Sequence, residues 1–417
     1  MTFNVYTLVI LGALVGGNLL QLLGDLLNLR HLDPQLPEEF RGDWDDDAYA
    51  RSQAYTRECT RFGLVRSGFD LIVLLCFWFA GGFGWLAAWA LGLGWGSVGT
   101  GLAFIGALSL GSRLLALPFQ LYSIFVIEER FGFNRTSAAT FWSDQAKGLV
   151  VTLLLAVPLL AAILAFLESA GPAAWLWCWF ATTAFLLLAL VIGPTWIMPL
   201  FNKFRPLEEG ELRAALLAYA QSARFPLDDV YVMDGSKRST KANAFFTGFG
   251  RNKRVALFDT LIASQSTDEL VAVVAHEVGH YKRHHILLRA LVSIAHFGLL
   301  FWLLSLFLDR VGLFAAFGVA EPSVWAGLVF FMILYSPVEL ALSLVSNAFS
   351  RRNELEADEF AARTTGGVEP LISALKKLSA ENLSNLTPHP LHVLLHHSHP
   401  PLWRRIAALR TTAAAQP

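Results

Sequence analysis

The feature that most constrains this chain is a repeated stretch of about 20 apolar residues, each set off from the next by charged blocks. A helix of that length crosses the hydrocarbon of a bilayer. Candidate spans fall at 5–27, 68–94, 98–126, 149–168, 173–197, 287–309 and 323–346. Composition agrees, with 55% hydrophobic residues and 16% charged ones, against about 25% charged in soluble domains. The first stretch has no basic segment ahead of it. Arg30-His31-Leu32-Asp33 follows it in place of a small-residue cleavage site, so it is expected to be a retained anchor.

Charge orients the spans. Arg30, Arg41, Arg51, Arg57, Arg61 and Arg66 separate the first two, and Arg130, Arg135 and Lys147 separate the third and fourth. The segment after the fifth carries Lys203, Arg205, Lys237, Arg238, Lys241, Arg251, Lys253, Arg254, Lys282 and Arg283, whereas the opposite loops have almost no basic residues. The positive-inside rule then puts the large loop and the C-terminal tail in the cytoplasm and the N-terminus outside. Asp70, Arg113, Gln120, Glu339 and Asn347 lie within or at the edge of spans. Such residues either pair helices or face a wet cavity.

The segmentation gives 1–197 as spans one to five, 198–286 as a cytoplasmic segment, 287–346 as spans six and seven, and 347–417 as a helical tail. The expected fold is predominantly all-α. Within 198–286 the pattern predicts a helix near 208–222 and strands at 229–233 and 254–258. The tail is expected to begin by continuing span seven. A formal net charge of −1 gives no sign of a nucleic-acid partner. Cys59, Cys76 and Cys178 are far apart, which excludes a disulfide framework and a cysteine-ligated metal.

Chemistry enters at His276-Glu277-Val278-Gly279-His280. Two histidines four apart on a helix present both imidazoles on one face. They can share one zinc ion, while the neighbouring Glu277 reaches the ion's water as general base. Ser266 and Glu269 form a capping box that starts this helix, and Leu270, Val271, Val273, Val274 and Val278 give it a buried face. A catalytic zinc needs a third protein ligand and one open position. A metzincin would place Gly and His three and six residues after His280, but Arg283 and Ile286 stand there. Glu354 is the better third ligand. Asp358, four residues on, can accept the free N–H of a ligating histidine, and Glu356 points away as a solvated or salt-bridged carboxylate. His284, His285, His389, His392, His396, His397 and His399 form further His-rich tracts, which are read either as surface residues or as metal-binding ones.

With the downstream Glu354 and Asp358, the motif resembles the gluzincin metallopeptidases, and further stretches resemble the type I CAAX prenyl endopeptidases. These are Ser52-Gln53-Ala54-Tyr55-Thr56-Arg57, Thr60-Arg61-Phe62-Gly63, Glu128-Glu129-Arg130-Phe131-Gly132-Phe133-Asn134 and Pro199-Leu200-Phe201-Asn202-Lys203-Phe204. Asp234-Gly235-Ser236-Lys237-Arg238-Ser239, Asn243-Ala244-Phe245-Phe246 and Ser398-His399-Pro400 complete the set. The resemblance implies seven transmembrane helices around a large chamber, closed by a cytoplasmic metalloprotease domain. It implies one zinc per chain on His276, His280 and Glu354, with Glu277 as base and His399 stabilising the tetrahedral intermediate. Arg405 matches a neighbouring arginine of the same motif, and Asn243-Ala244 borders the substrate cleft. Lys241-Ala242 departs from the family's His-Ser, which bears on substrate fit and not on the metal.

The expected function is therefore hydrolysis of peptide bonds in membrane-associated substrates, with an extended substrate pairing along Asn243–Phe246, Phe245 included. Partners are peptides or proteins, among them prenylated C-terminal tails or membrane proteins, together with the bilayer. The tail Ala413-Ala414-Ala415-Gln416-Pro417 carries no dilysine signal, and the Ala-, Leu- and Arg-rich composition points to a bacterial inner membrane and a quality-control role. In a eukaryote the endoplasmic reticulum membrane is expected instead. Two alternatives compete. A site-2-type protease would need its motif within a span, but Tyr281-Lys282-Arg283-His284-His285 follows directly. A transporter or lipid-binding protein with a vestigial metal site would be metal-free.

Overall fold

The computed structural model describes residues 2–247 and 253–414; Arg251 and Ala415-Gln416-Pro417 lie outside them. Among the described residues, seven helices are long and apolar enough to cross a membrane: Val5–Arg30, Asp46–Phe79, Gly96–Glu128, Ala138–Ser169, Gly171–Phe201, His285–Phe307 and Val324–Thr365. Each overlaps one expected stretch, and most run past the apolar part because helical hydrogen bonding does not stop where hydropathy does. The second begins well before residue 68, capped by the Asp45 side chain on Ala48 N–H, with Asp46 and Asp47 in its first turn.

The stretch 68–94 is not one helix. The second span ends at Phe79, Gly81 turns the chain at φ 77°, and a separate helix Gly82–Gly92 follows. Glycine takes this left-handed conformation without a Cβ penalty. The apolar run continues across the turn, so hydropathy cannot detect it.

The polar residues of the spans do two different jobs. Arg113 donates from Nη2 to Gln145 O and Oε1 at 3.0 and 2.8 Å, and Gln145 Nε2 donates to Gln120 Oε1 at 3.2 Å. That chain ties the third span to the fourth. Asp70 and Glu339 are instead each 57% exposed. Carboxyl groups left open at membrane depth face water and not lipid. The spans also bury little against one another: in their most apolar windows, no more than 22% of residues are buried. A hydrated hollow inside the ring of helices accounts for both observations.

The extramembrane part gathers around one helix, Thr267–Lys282. Beside it stands a four-stranded sheet of β1 (Phe204–Pro206), β2 (Leu227–Met233), β3 (Ala244–Thr247) and β4 (Lys253–Phe258), in the order β1-β2-β4-β3. β2 and β4 are parallel, while β1 and β3 are antiparallel to their neighbours. β3 is therefore an edge strand, in register Ala244 with Leu257 and Phe245 with Ala256. One apolar core joins Phe40, Trp44 and Tyr49 to Leu216 and Val230. It continues through Val255, Leu257, Leu270, Val274 and Val278 to Ala361 and Leu371. The seventh helix runs unbroken from the membrane into this core.

Candidate metal centre

Helix Thr267–Lys282 starts with the expected capping box: Ser266 N–H donates to Glu269 Oε2 at 2.7 Å, and Ser266 Oγ accepts from Glu269 N–H. Glu269 also accepts from Ser373 Oγ at 2.6 Å and Lys377 Nζ at 2.8 Å, which docks the helix Glu369–Glu381. Burial works against the Glu269 charge, but Lys377, Ser373 and the Ser266 N–H together bring its pKa down to about 2. The helix start is thus fixed from both sides.

One turn before its end, His276 and His280 face the seventh helix. Their Nε2 atoms are 3.2 Å apart, and Glu354 reaches them with Oε2 and Oε1 at 3.3 and 3.4 Å. Pairs of ligand atoms around a four-coordinate zinc, at bonds of about 2.0–2.1 Å, stand about 3.3 Å apart. Glu354 is 3% exposed, and its Oε2 is buried with no aligned hydrogen-bond donor. Three lone-pair atoms converging in a buried place fit a cation.

Each histidine is backed by a chain of further groups. His276 Nδ1 stands 2.8 Å from Asp358 Oδ1, and Asp358 accepts two hydrogen bonds from Arg405, at 2.8 Å from Nε and 2.6 Å from Nη2. Burial alone would lower the His276 pKa, but Asp358 and Glu354 lift it to about 9. Below that pH a metal must displace a proton here. His280 Nδ1 lies 3.0 Å from His285 Nδ1, and His285 Nε2 lies 3.3 Å from Glu356 Oε2. With the His280 Nε2 lone pair kept for a metal, Nδ1–H donates to His285 and His285 donates onward to Glu356. Glu277 is half-buried beside the triad. Burial raises its pKa, with His276 and His280 pulling the other way. A carboxylate moved toward neutrality suits a general base.

His285 differs from what the sequence suggested, whereas Glu356 is salt-bridged as expected. His285 is 3% exposed and belongs to the support of His280, and Glu356, though it pairs with Arg352 at 2.9 Å, also reaches His285. His285 lies five residues after His280, where a new helix begins. Replacing His285 by Ala is expected to weaken metal affinity about 10- to 100-fold, read by competition with a chelator. Gly279 was also passed over. A Cβ there would sit 3.1 Å from Ala357 Cα and its carbonyl oxygen and 3.2 Å from Phe360 Cβ. A glycine inside a helix costs about 1 kcal/mol relative to Ala, and here it lets the helices of His276 and Glu354 touch. Gly279→Ala is expected to cost about 1–3 kcal/mol in stability and to reduce the metal content of the purified protein.

The other expected site residues are placed less uniformly. His399 is largely exposed, with Nδ1 3.0 Å from Glu354 Oε2. Arg405 is turned inward on Asp358, behind the triad, and not toward an open cleft. Asn243, Ala244 and Phe245 lie at and in the edge strand β3, which runs beside the helix of His276. Lys241, just ahead of it, pairs with Glu128 at 2.9 Å and donates to Tyr55 Oη at 2.7 Å.

Comparison with known proteins gives this geometry its relatives. Residues 25–203 match the family described as CAAX prenyl protease N-terminal, five membrane helices, and residues 206–413 match Peptidase family M48. The chain is 36% identical to the CAAX prenyl protease 1 homolog of Oryza sativa subsp. japonica over 90% of each. It is 34% identical to CAAX prenyl protease 1 of Saccharomyces cerevisiae, over 90% of this chain and 89% of the other. A crystal structure of S. mikatae Ste24p superposes with a TM-score of 0.93 at 32% identity, covering 98% of this chain and 100% of that one. The chain belongs to the CAAX prenyl protease 1 family, as a multi-pass membrane metallopeptidase acting on peptide or protein substrates, with its spans around a large chamber.

Proposed function

We propose that this chain is a zinc endopeptidase holding one catalytic ion on His276, His280 and Glu354, and that it cleaves extended segments of membrane-associated proteins, prenylated C-terminal tails included. The observation that carries this is the convergence of two Nε2 atoms and a buried Glu354 carboxylate at separations of 3.2–3.4 Å. When bound, zinc supplies Lewis acidity and a water acidified to a pKa of about 7.

The chain's own residues do the rest. Glu277 takes the proton of the attacking water and can return it to the leaving amine. His399, with Nδ1 3.0 Å from Glu354 Oε2, stands beside the centre and is the proposed donor of a ring N–H to the oxygen on which negative charge develops. One such donor is worth roughly 10²–10³ in rate. The edge strand β3 offers main-chain groups to an extended substrate next to Asn243, Ala244 and Phe245, a mode that tolerates many sequences. Asp358 holds His276, and Arg405 acts through Asp358. The basic segment after the fifth span supports a cytoplasmic active site, and the composition supports a bacterial inner membrane as its setting.

The test uses the purified full chain with a farnesylated C-terminal CAAX peptide and its unprenylated counterpart, with products read by mass spectrometry. Cleavage that stops with a chelator and returns with zinc supports the reading. Failure on both peptides, with zinc bound, removes the proposed substrate class. The transporter alternative predicts a protein without zinc.

A further inference from the structure

Far from the motif in sequence, a second group of metal-ligating side chains converges. Asp25 lies near the end of the first span, Val5–Arg30, and faces the helix Pro390–His396. On that helix His392 and His396 are four residues apart, so both rings project from one face. His392 Nδ1 stands 3.0 Å from Asp25 Oδ1, and His396 Nε2 stands 3.5 Å from the same oxygen. One ligand atom from each residue lies within 4.8 Å of the other two. Among the described residues, the only other His, Cys, Asp or Glu group to meet that criterion is His276, His280 and Glu354.

A plain ion pair docking the helix on the span is the simpler account, but docking is already provided. A Cβ at Gly24 would come within 2.7 Å of Leu395 Cδ1, so backbone and leucine are in close contact. Asn28 Oδ1 accepts the His389 N–H at 3.0 Å. The carboxylate and two imidazoles are an addition to a contact that packing and backbone hydrogen bonds have made.

We propose that Asp25, His392 and His396 bind a second divalent transition-metal ion, Zn²⁺ by the donor set, with water completing the coordination. Two imidazoles and one carboxylate are a zinc donor set. Asp25 and His392 side chains are 20% and 19% exposed, and His396 is 34% exposed, so water has access from the His396 side. The ion has a positioning role. Only His397 and Ser398 separate His396 from His399, and His397 O accepts from Arg351 Nη1 at 2.7 Å, three residues before Glu354. Metal at the second site therefore clamps the first span to the segment that delivers His399 to Glu354.

The experiment counts zinc in the full-length protein by elemental analysis after dialysis against metal-free buffer. Two equivalents are expected in the wild type, and one in His392→Ala. Should that variant fail to fold, His276→Ala gives the second measurement: it retains one equivalent if the proposal holds and none if it fails. A wild-type count, one or two, that His392→Ala leaves unchanged overturns the second site. The first equivalent rests on the proposed function. If only that reading is wrong, His276→Ala leaves the count unchanged while His392→Ala still lowers it.

Discussion

Glu277→Gln is expected to keep its zinc and lose peptide hydrolysis by about 10²–10⁴-fold, the usual worth of a positioned proton-transfer group. Glutamine preserves volume and a polar oxygen but cannot take a proton. Glu277 is not one of the three residues whose atoms converge at 3.2–3.4 Å. Metal content and folding should therefore stay at wild-type levels, and the loss should appear in kcat, with KM for the peptide little changed. Elemental analysis alongside single-turnover kinetics checks both halves. Near-normal turnover with zinc bound would reject Glu277 as the base, whereas loss of zinc would show it to be part of the metal site. The same variant retains uncleaved substrate, so comparing its bound proteins with those of the wild type names the natural substrates.

Asp358→Ala is expected to be the most damaging substitution for stability in the site, at about 3–5 kcal/mol, because it strands a buried charge. Asp358 is 1% exposed, and the Arg405 guanidinium it holds is 12% exposed. Removing the carboxylate leaves Arg405 without its bidentate partner and frees Nδ1 of His276. Two losses follow, and a double variant separates them. Asp358→Ala with Arg405→Met removes the stranded charge, so thermal stability should largely return. Metal affinity should not, because His276 still lacks the carboxylate that orients its ring. If the double variant recovers both, Asp358 serves the fold alone.

The membrane architecture was legible because hydropathy over 20 residues is an average that single residues cannot disturb. The turn at Gly81 escaped for the same reason. The candidate triad could be picked out because both of its parts are local: His276 and His280 share a helical face, and Glu354 with Asp358 repeats that spacing. What joins the two helices is not local. Gly279 against Ala357 and Phe360 is a contact between residues about 80 positions apart, and only the fold shows why a glycine stands at position 279. His285 was hidden by its neighbours, since a run of adjacent histidines gives no hint which one is buried. Arg405 could be matched by position, yet its direction, inward to Asp358, depends on how the last helix docks. Strand β1, three residues long, is too short for an alternating pattern to register.

The 42-residue helix Val324–Thr365 has a mechanical meaning. At 1.5 Å per residue, Glu354 lies about 45 Å along the axis from Val324, well beyond the roughly 30 Å of hydrocarbon the helix crosses. One end of the rod is set by the bilayer, and the other carries Glu354, the proposed ligand, packed at Ala357 and Phe360 against the helix of His276 and His280. A lever of that length turns a tilt of about 3° into a shift of about 2 Å at the carboxylate, comparable with a metal–ligand bond. Tilt answers to bilayer thickness, so activity at this centre is expected to depend on the lipid around it. Turnover in vesicles should pass through an optimum as acyl chains are lengthened.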